Sequence, residues 1–266
     1  MELWLRYARV ALMGQFSKRS NLVVVTLAQL LLTLSALAAV LVLFARFGTL
    51  AGYSREEVLL LFGVAQVSFS LVELLARGFD SFSAILAQGE FDRILARPRG
   101  TILQVLGARL EFSRLGRALV GAAILVHALR ALGPAMVADG PALAAARYAT
   151  VASMTLGSGA IFAGIFVLGA SLAFVSPDGL EVVNIFSDGG REMSQYPLSI
   201  YDRALRRFFT FVVPFGCVNW LPLEFALARP GASWPAAFLP LAGFAFLALS
   251  FLAWRAGVRR HASTGS

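Results

Sequence analysis

Residues 58–76 read VLLLFGVAQVSFSLVELLA, and residues 77–100, which follow directly, read RGFDSFSAILAQGEFDRILARPRG. A helix needs roughly 20 predominantly apolar residues to cross the hydrocarbon of a bilayer. The first stretch is long and apolar enough for that, whereas the second carries seven charged side chains. The boundary at Arg77 therefore predicts a membrane span that ends in an aqueous loop.

The rest of the chain repeats this pattern of long apolar runs. Hydrophobic residues make up 58% of the sequence, charged residues 14%, and the mean hydropathy is +0.75, which lies outside the usual range of soluble proteins. The runs are continuously apolar, so they favour helices over barrel strands, whose ~10 residues alternate in polarity. We therefore predict an all-α polytopic membrane protein. Its six transmembrane helices are expected at about residues 22–44, 58–76, 115–132, 148–175, 208–228 and 236–254.

Basic residues predict how the chain is oriented. With the N-terminus in the cytoplasm, 18 of the 23 basic residues fall in cytoplasmic segments. By the positive-inside rule, both termini and the loops 77–114 and 176–207 are expected to be cytoplasmic. The net charge of +8 then reflects loops beside anionic lipid, and no nucleic-acid partner is needed to explain it.

Residues 1–21 precede the six-helix domain of residues 22–266. They mix apolar and aromatic side chains with basic ones, a pattern typical of a helix lying along the cytoplasmic membrane interface. A frayed basic tail is the alternative.

The loop after the second span predicts a compact two-helix element. Gly89 interrupts the first short helix, and Pro98 ends the second, since neither residue continues a helix well. In the second helix Phe91, Ile94 and Leu95 share one face at spacings of three and four residues, with charged residues at its sides and back.

Polar residues within the spans are candidates for a substrate pathway, because burying them in the bilayer is costly. Glu73 is one such residue, although it is also placed to pair with Arg77 four residues later. The fifth span contains two prolines, which predict a kinked helix that lines the pathway. His127 is interpreted as a packing residue rather than a proton relay. The candidate pathway residues are Gln66, Glu73, Pro214, Asn219 and Glu224.

The fourth span is rich in small residues spaced four apart, which indicates close packing against another helix. The partner helix belongs either to the same chain or to a second copy. The residues concerned are Ser153, Gly157, Gly159, Ala160 and Gly164.

Several catalytic chemistries lack the residues they need. The only lysine is Lys18, which is not in a Walker A context, so the chain has no such ATP site. With only His127 and His261, an HExxH metalloprotease is excluded, and the single Cys217 supports neither a disulfide nor a cysteine metal cluster. We therefore expect no catalytic residue, no metal and no cofactor in this chain. An ATP-independent secondary carrier and a membrane scaffold remain alternatives, and a hydrolase pairing His127 with a serine is the weakest of them.

Two segments resemble a known family. The run GEFDRILARP with the preceding ARGFDSFSAILAQ, and the run YPLSIYDRALRRFFTFVVPFGCVNWLP, resemble the permease subunits of type 2 ATP-binding-cassette (ABC) transporters, in particular their six-span bacterial branch. In those permeases the first cytoplasmic loop contains Gly-x-hydrophobic-Asp-x-x-Leu-x-Arg-Pro, and an Ile-Tyr element precedes a span with a hydrophobic-Pro pair. The matching residues here are Gly89, Phe91, Asp92, Leu95, Arg97 and Pro98, then Ile200, Tyr201 and Pro214.

The resemblance implies a division of labour between chains. A separate ATPase subunit would bind ATP and Mg²⁺, and two permease chains, identical or related, would form an export pathway in the bacterial cytoplasmic membrane. The first cytoplasmic loop would couple the permease to the ATPase, through Gly89, Glu90, Phe91, Asp92, Arg93, Ile94, Leu95, Arg97 and Pro98. The transported substrate does not follow from the sequence.

Overall fold

The structure, a computed structural model, describes residues 2–17, 19–176 and 179–261. Within these residues the chain forms helices and connecting turns, and no strand is present. The α-helices are α1 (Glu2–Ser17), α2 (Arg19–Phe47), α3 (Arg55–Asp80), α4 (Phe82–Ala87), α5 (Glu90–Leu95), α6 (Thr101–Ala108), α7 (Leu115–Val137), α8 (Pro141–Ala173), α9 (Gly179–Ser194), α10 (Arg203–Phe211), α11 (Leu221–Ala226) and α12 (Leu241–Arg260).

Five segments of the described chain are long and apolar enough to cross a membrane, and they contain α2, α3, α7, α8 and α12. The fifth predicted span differs, because it consists of Arg203–Phe211 and Gly216–Ala226, which meet at an angle of 82°. Counted as one broken span, this pair brings the total to six. The prediction of an all-α polytopic protein is confirmed.

The connection between the third and fourth spans is short, because both helices extend beyond the predicted bounds. The predicted spans end at residue 132 and begin again at residue 148, whereas α7 continues to Val137 and α8 already begins at Pro141. Proline fits the first turn of a helix, where its missing N–H group has no partner to lose. The buried Arg147 of α8 donates to the carbonyl of Met136 at 2.9 Å and pairs with Asp139, which satisfies the end of α7.

Helix α3 lies at the centre of the bundle. It packs against α7 on one side and α8 on the other, while α2 packs on α7 and α12 on α8. Small residues allow the closest of these contacts. A Cβ atom on Gly157 would lie 2.5 Å from the carbonyl oxygen of Pro240, and one on Gly164 would lie 2.7 Å from the ring of Phe246.

The N-terminal segment is helical from Glu2 to Ser17, and it docks on the connection between α6 and α7. The ring of Tyr7 lies against Gly107. Gln15 bridges the connection, since its side chain donates to the carbonyl of Leu110 and accepts from the N–H of Phe112 at 3.0 Å. Part of the predicted interfacial segment, Met1 and Lys18, lies outside the described residues.

Candidate coupling element and pathway residues

The loop after α3 forms the two short helices expected from its sequence. Helix α4 ends at Ala87, and α5 begins after Gly89, whose φ of +67° is a conformation that side chains with a Cβ rarely adopt. The second helix ends at Leu95, three residues before Pro98. We call α4, Gly89 and α5 together the coupling element, residues 82–95.

Helix α5 is anchored in the protein by part of its apolar face. Phe91 is 1% exposed, and its ring lies 5.1 Å from that of Phe82, 5.4 Å from that of Phe174 and 5.9 Å from that of Trp254, centroid to centroid. These distances are typical of favourable aromatic pairs. Phe91 therefore ties the coupling element to α8 and α12.

The apolar face of α5 is divided between the interior and the surface. Ile94 is 8% exposed, whereas Leu95 is 41% exposed. The spacing of Phe91, Ile94 and Leu95 predicted one shared face. In the structure Phe91 and Ile94 are buried within this chain, and Leu95 is exposed. The residues left exposed around α5 are Glu90, Arg93, Leu95, Arg97 and Pro98.

Two polar contacts fix the end of the coupling element. The carboxylate of Asp92 lies 3.2 Å from Nε2 of His261, the residue that follows α12. The buried side chain of Gln104 donates to the carbonyls of Ile94 and Arg99, each at 3.1 Å. The turn that leaves α5 is therefore held against α6.

Glu73 lies in a network of arginines at the predicted cytoplasmic end of α3. It is 5% exposed and pairs with Arg77 at 3.6 Å, as the spacing of four residues predicts. It also pairs with Arg114 at 3.5 Å and, more closely, with Arg117. Arg77 extends the network to Glu111 at 3.6 Å. The network joins α3 to the start of α7.

A polar pocket of about 290 Å³ lies beside this network, between α3, α8 and α9. Its lining includes Glu73, Asp80 and Asp188. The guanidinium groups of Arg117 and Arg191 lie 5.2 and 5.4 Å from the ring of Phe69, within range of cation–π attraction. No sequence pattern marks Asp188 or Arg191 as candidates, because both lie in the predicted cytoplasmic loop 176–207.

The short helix after the bend carries Asn219 into the interior. Asn219 is 3% exposed, and its side-chain oxygen accepts a hydrogen bond from Ser158 at 2.6 Å. Residues 216–226 form a helix roughly 16 Å long, about half the hydrocarbon thickness. Pro214 lies in the break before it, where the ring of the adjacent Phe215 contacts that of Phe162 at 5.0 Å.

Glu224 belongs to a cluster at the other end of α3. It accepts a hydrogen bond from the hydroxyl of Tyr53, which in turn accepts one from Trp220 at 2.9 Å. Arg229 stacks 4.0 Å from the Tyr53 ring centroid and pairs with Glu57 at 2.7 Å. Burial, and then the hydrogen bond to Glu224, raises the pKa of Tyr53 to about 12. We call these five residues the outer cluster.

The five candidate pathway residues do not converge on one site. Glu73 and Glu224 lie near opposite ends of α3, since Glu224 contacts Tyr53, just before that helix begins. Gln66 is fully buried, and neither polar atom of its amide has a hydrogen-bond partner in the described part of the chain.

The comparison with known families agrees with this architecture. The family described as ABC-2 family transporter protein matches residues 30–265, which is most of the chain. No curated protein and no solved structure matches this chain. The family match confirms the resemblance seen in the sequence, and the apolar helices agree with a multi-pass membrane protein. The chain therefore belongs to the ABC-2 transporter family and is a membrane permease of an ABC transporter.

Proposed function

We propose that this permease forms a substrate pathway together with a second permease chain and is driven by a separate ATPase that docks on the coupling element. The ATPase binds ATP and Mg²⁺, and the pair of permeases exports its substrate across a bacterial cytoplasmic membrane. The permease itself carries out no catalytic step.

The division of α5 into a buried and an exposed side carries this proposal. An ATPase that presses on Arg93 and Leu95 pushes a helix whose other side is inserted among aromatic rings. Protein interiors are close-packed, so such a displacement is transmitted rather than absorbed. The ring contacts of Phe91 lead directly to Phe174, at the end of α8, and to Trp254 in α12.

A second connection runs through the arginine network. The coupling element begins two residues after Asp80, the last residue of α3, and Arg77 pairs with both Asp80 and Glu73. Arg117 then links Glu73 to α7. A shift of the coupling element is thereby expected to move α3 and α7 together.

The proposal of a second permease chain rests on the family and on exposed apolar side chains at the bend. Phe211 is 80% exposed and Val212 is 57% exposed, next to the short helix of residues 216–226. Such side chains need lipid or protein around them in the membrane. A second copy placed here would cover these side chains, and the pathway would then run beside the short helix of residues 216–226.

The proposal is tested by purifying the tagged permease from its native membrane and identifying proteins present in equal amount. We expect an ATPase with a Walker A motif, together with ATP hydrolysis by the purified complex. The combined substitution Arg93→Ala and Leu95→Ala should reduce the amount of ATPase recovered or its activity. A matched control is Leu119→Ala, because Leu119 is 69% exposed but lies on α7, away from the coupling element.

Two results would contradict the proposal. One is the recovery of the permease without any ATPase together with transport that depends only on an ion gradient. The other is equal loss of ATPase from Leu119→Ala and from the coupling-element variant. The second permease chain is tested separately by co-expressing two differently tagged copies. Recovery of one tagged copy with the other shows a homodimer, and recovery of a related permease in equal amount shows a heterodimer. If no second permease is recovered, the proposed pairing is rejected.

A further inference from the structure

An apolar groove runs between α3, α8 and α12, on the side of α3 away from the polar pocket. Its volume is about 450 Å³. Leu71 and Leu75 line it from α3, Leu156 from α8 and Phe251 from α12. Leu71 is 40% exposed and Leu75 is 37% exposed, although most of α3 is buried. The groove is thus the main place where the central helix reaches the surface of the bundle.

The groove offers no free polar group to water. Its two hydroxyl residues are Ser68 and Thr155. Ser68 donates to the carbonyl of Thr155 at 2.7 Å, and Thr155 donates to the carbonyl of Val151 at 3.1 Å. A water molecule needs two to four polar partners to be held in a cavity, so an apolar occupant is favoured.

The length of the groove matches one leaflet of a bilayer. Its lining extends along α3 from Ser68 to Phe79, which corresponds to roughly 16 Å of helix. The hydrocarbon core of a bilayer is about 30 Å thick, so one acyl chain occupies about half of that distance. The groove accordingly has the dimensions of a single acyl chain from one leaflet.

A second, basic pocket of about 330 Å³ continues the line of the groove. Leu106 of α6 and Phe251 of α12 line the groove, and one helical turn further along the same two helices Ile102 and Arg255 line the basic pocket. Arg259 also lines it. The two pockets therefore lie end to end between α6 and α12.

Both arginines of the basic pocket are available for an anion. Arg255 and Arg259 are exposed, and neither side chain has an ion pair or hydrogen bond with the described part of the chain. Trp254, beside them, donates to the hydroxyl of Thr101 at 3.3 Å, as tryptophans at membrane interfaces often combine an apolar body with a polar contact. An apolar slot that ends at two unpaired arginines is complementary to a lipid with an anionic headgroup.

We propose that this groove and pocket form a binding site for an anionic phospholipid, with one acyl chain between α3, α8 and α12 and the phosphate at Arg255 and Arg259. None of the residues that line the groove or the basic pocket belongs to the coupling element. A second copy of the permease carries a net charge of +8, so an anionic lipid complements the two arginines better than a second copy does. An anionic phospholipid fills the apolar groove with an acyl chain and also supplies the negative charge that pairs with Arg255 and Arg259.

The test is native mass spectrometry of the full-length purified protein titrated with phosphatidylglycerol or phosphatidylcholine of the same chain length. We expect phosphatidylglycerol to bind more tightly. Replacing Arg255 and Arg259 together by Gln should weaken its binding roughly thirtyfold, because two arginines near the headgroup are removed. The matched control replaces Arg203 and Arg207 by Gln, since these two exposed arginines of α10 carry the same charge and line neither pocket.

A second variant tests the apolar half of the site. A Cβ atom on Gly159, which lines the groove, would meet only Val72 at 3.8 Å, so Gly159→Leu fills the groove without a backbone clash. It should reduce the binding of both lipids, whereas Ala245→Leu, at an exposed position of α12 outside the groove, should not. Circular dichroism and size-exclusion chromatography establish whether each variant is folded. If Gly159→Leu does not fold, the arginine variants alone test the lipid site.

Four results would overturn the proposal. The first is equal binding of the two lipids by the wild type. The second is equal loss of phosphatidylglycerol from the Arg255/Arg259 and Arg203/Arg207 variants. The third is a change of oligomeric state in Gly159→Leu with the lipid count unchanged, which would make the groove an interface between copies. The fourth is competition at equal concentration by glycerophosphoglycerol, the headgroup without acyl chains, which would show a site for the headgroup alone.

Discussion

The carboxylate of Asp92 lies 3.2 Å from Nε2 of His261, although the two residues are 169 positions apart in the sequence. Asp92 belongs to α5 of the coupling element, and His261 immediately follows α12. The imidazole ring of His261 also contacts the ring of Phe91, with 5.2 Å between their centroids. The last helix of the permease is thus joined to the element that is proposed to receive the ATPase.

Replacing His261 by Ala should loosen the coupling element without unfolding the bundle. The substitution removes both the contact to Asp92 and the ring contact to Phe91, while most of the aromatic cluster remains. Hydrogen exchange of residues 90–95 should become faster than in the wild type, since local opening costs less free energy. Arg260→Ala changes the exposed neighbour and should leave this exchange unchanged; equal acceleration in both variants would argue against a specific role for His261.

Phe91 and Leu95 should respond very differently to truncation. Phe91→Ala removes a buried ring from the aromatic cluster and should lower the free energy of unfolding by about 3–5 kcal/mol. Leu95→Ala changes an exposed side chain and should alter it by no more than about 0.5 kcal/mol. Unfolding of both variants in detergent micelles measures the difference, and similar values for the two would contradict the placement of Phe91 in the interior.

The pair of Glu73 and Arg117 should be strongly coupled. Glu73→Gln alone leaves Arg117 buried with less compensation and should destabilise the protein by about 3–5 kcal/mol. Replacing both residues by Gln should cost less than the sum of the two single changes, by roughly 0.5–3 kcal/mol. A double-mutant cycle of unfolding free energies measures this coupling, and additive effects would show that the two side chains act independently.

Two glycines provide a paired test of the contact between α8 and α12. A Cβ atom on Gly243 would overlap the carbonyl oxygen of Gly157, so Gly243→Ala should force the helices apart and destabilise the protein by about 1–3 kcal/mol. A Cβ atom on Gly159 meets nothing closer than 3.8 Å, so Gly159→Ala should be neutral or slightly stabilising. Thermal unfolding distinguishes the two, and a greater loss from Gly159→Ala would refute this packing.

The hydroxyl of Tyr53 should ionise at a higher pH than that of an ordinary tyrosine. Its pKa of about 12 lies above the ordinary value of about 10, so the folded protein keeps this proton when the unfolded chain has lost it. The corresponding stability is present below pH 10 and is lost as the pH rises from about 10 to about 12. The ultraviolet absorbance of phenolate, compared between the wild type and Tyr53→Phe, isolates this group, and a difference that is complete by pH 10 would contradict the outer cluster.

The sequence predicts the local features of the fold well. Continuous apolar runs predict the long helices, Gly89 predicts the break between α4 and α5, and the spacing of four residues predicts the pair of Glu73 and Arg77. Pro214 predicts a disturbed fifth span. Each of these follows from residues that are close together in the chain.

Contacts between residues far apart in the chain determine the features that local sequence patterns do not predict. Phe91 is buried because Phe174 and Trp254 reach it from α8 and α12, and no periodicity within α5 separates it from the exposed Leu95. Arg117 joins Glu73 across 44 positions, and Tyr53 joins Glu224 across 171. Pro214 predicts a kink but not its size, and the observed bend of 82° leaves the short helix of residues 216–226 packed on α8.

Cysteine cross-linking tests the proposed coupling most directly. Cys217 is the only cysteine, so Cys217→Ala provides a background in which a new cysteine is unique. A thiol-to-amine cross-linker has one lysine, Lys18, to react with in the permease itself, which favours products with a partner. In native membranes Leu95→Cys should yield an adduct with the ATPase, and Leu119→Cys on α7 should not. An absence of ATPase adducts at Leu95, with expression and folding unchanged, would contradict docking on the coupling element.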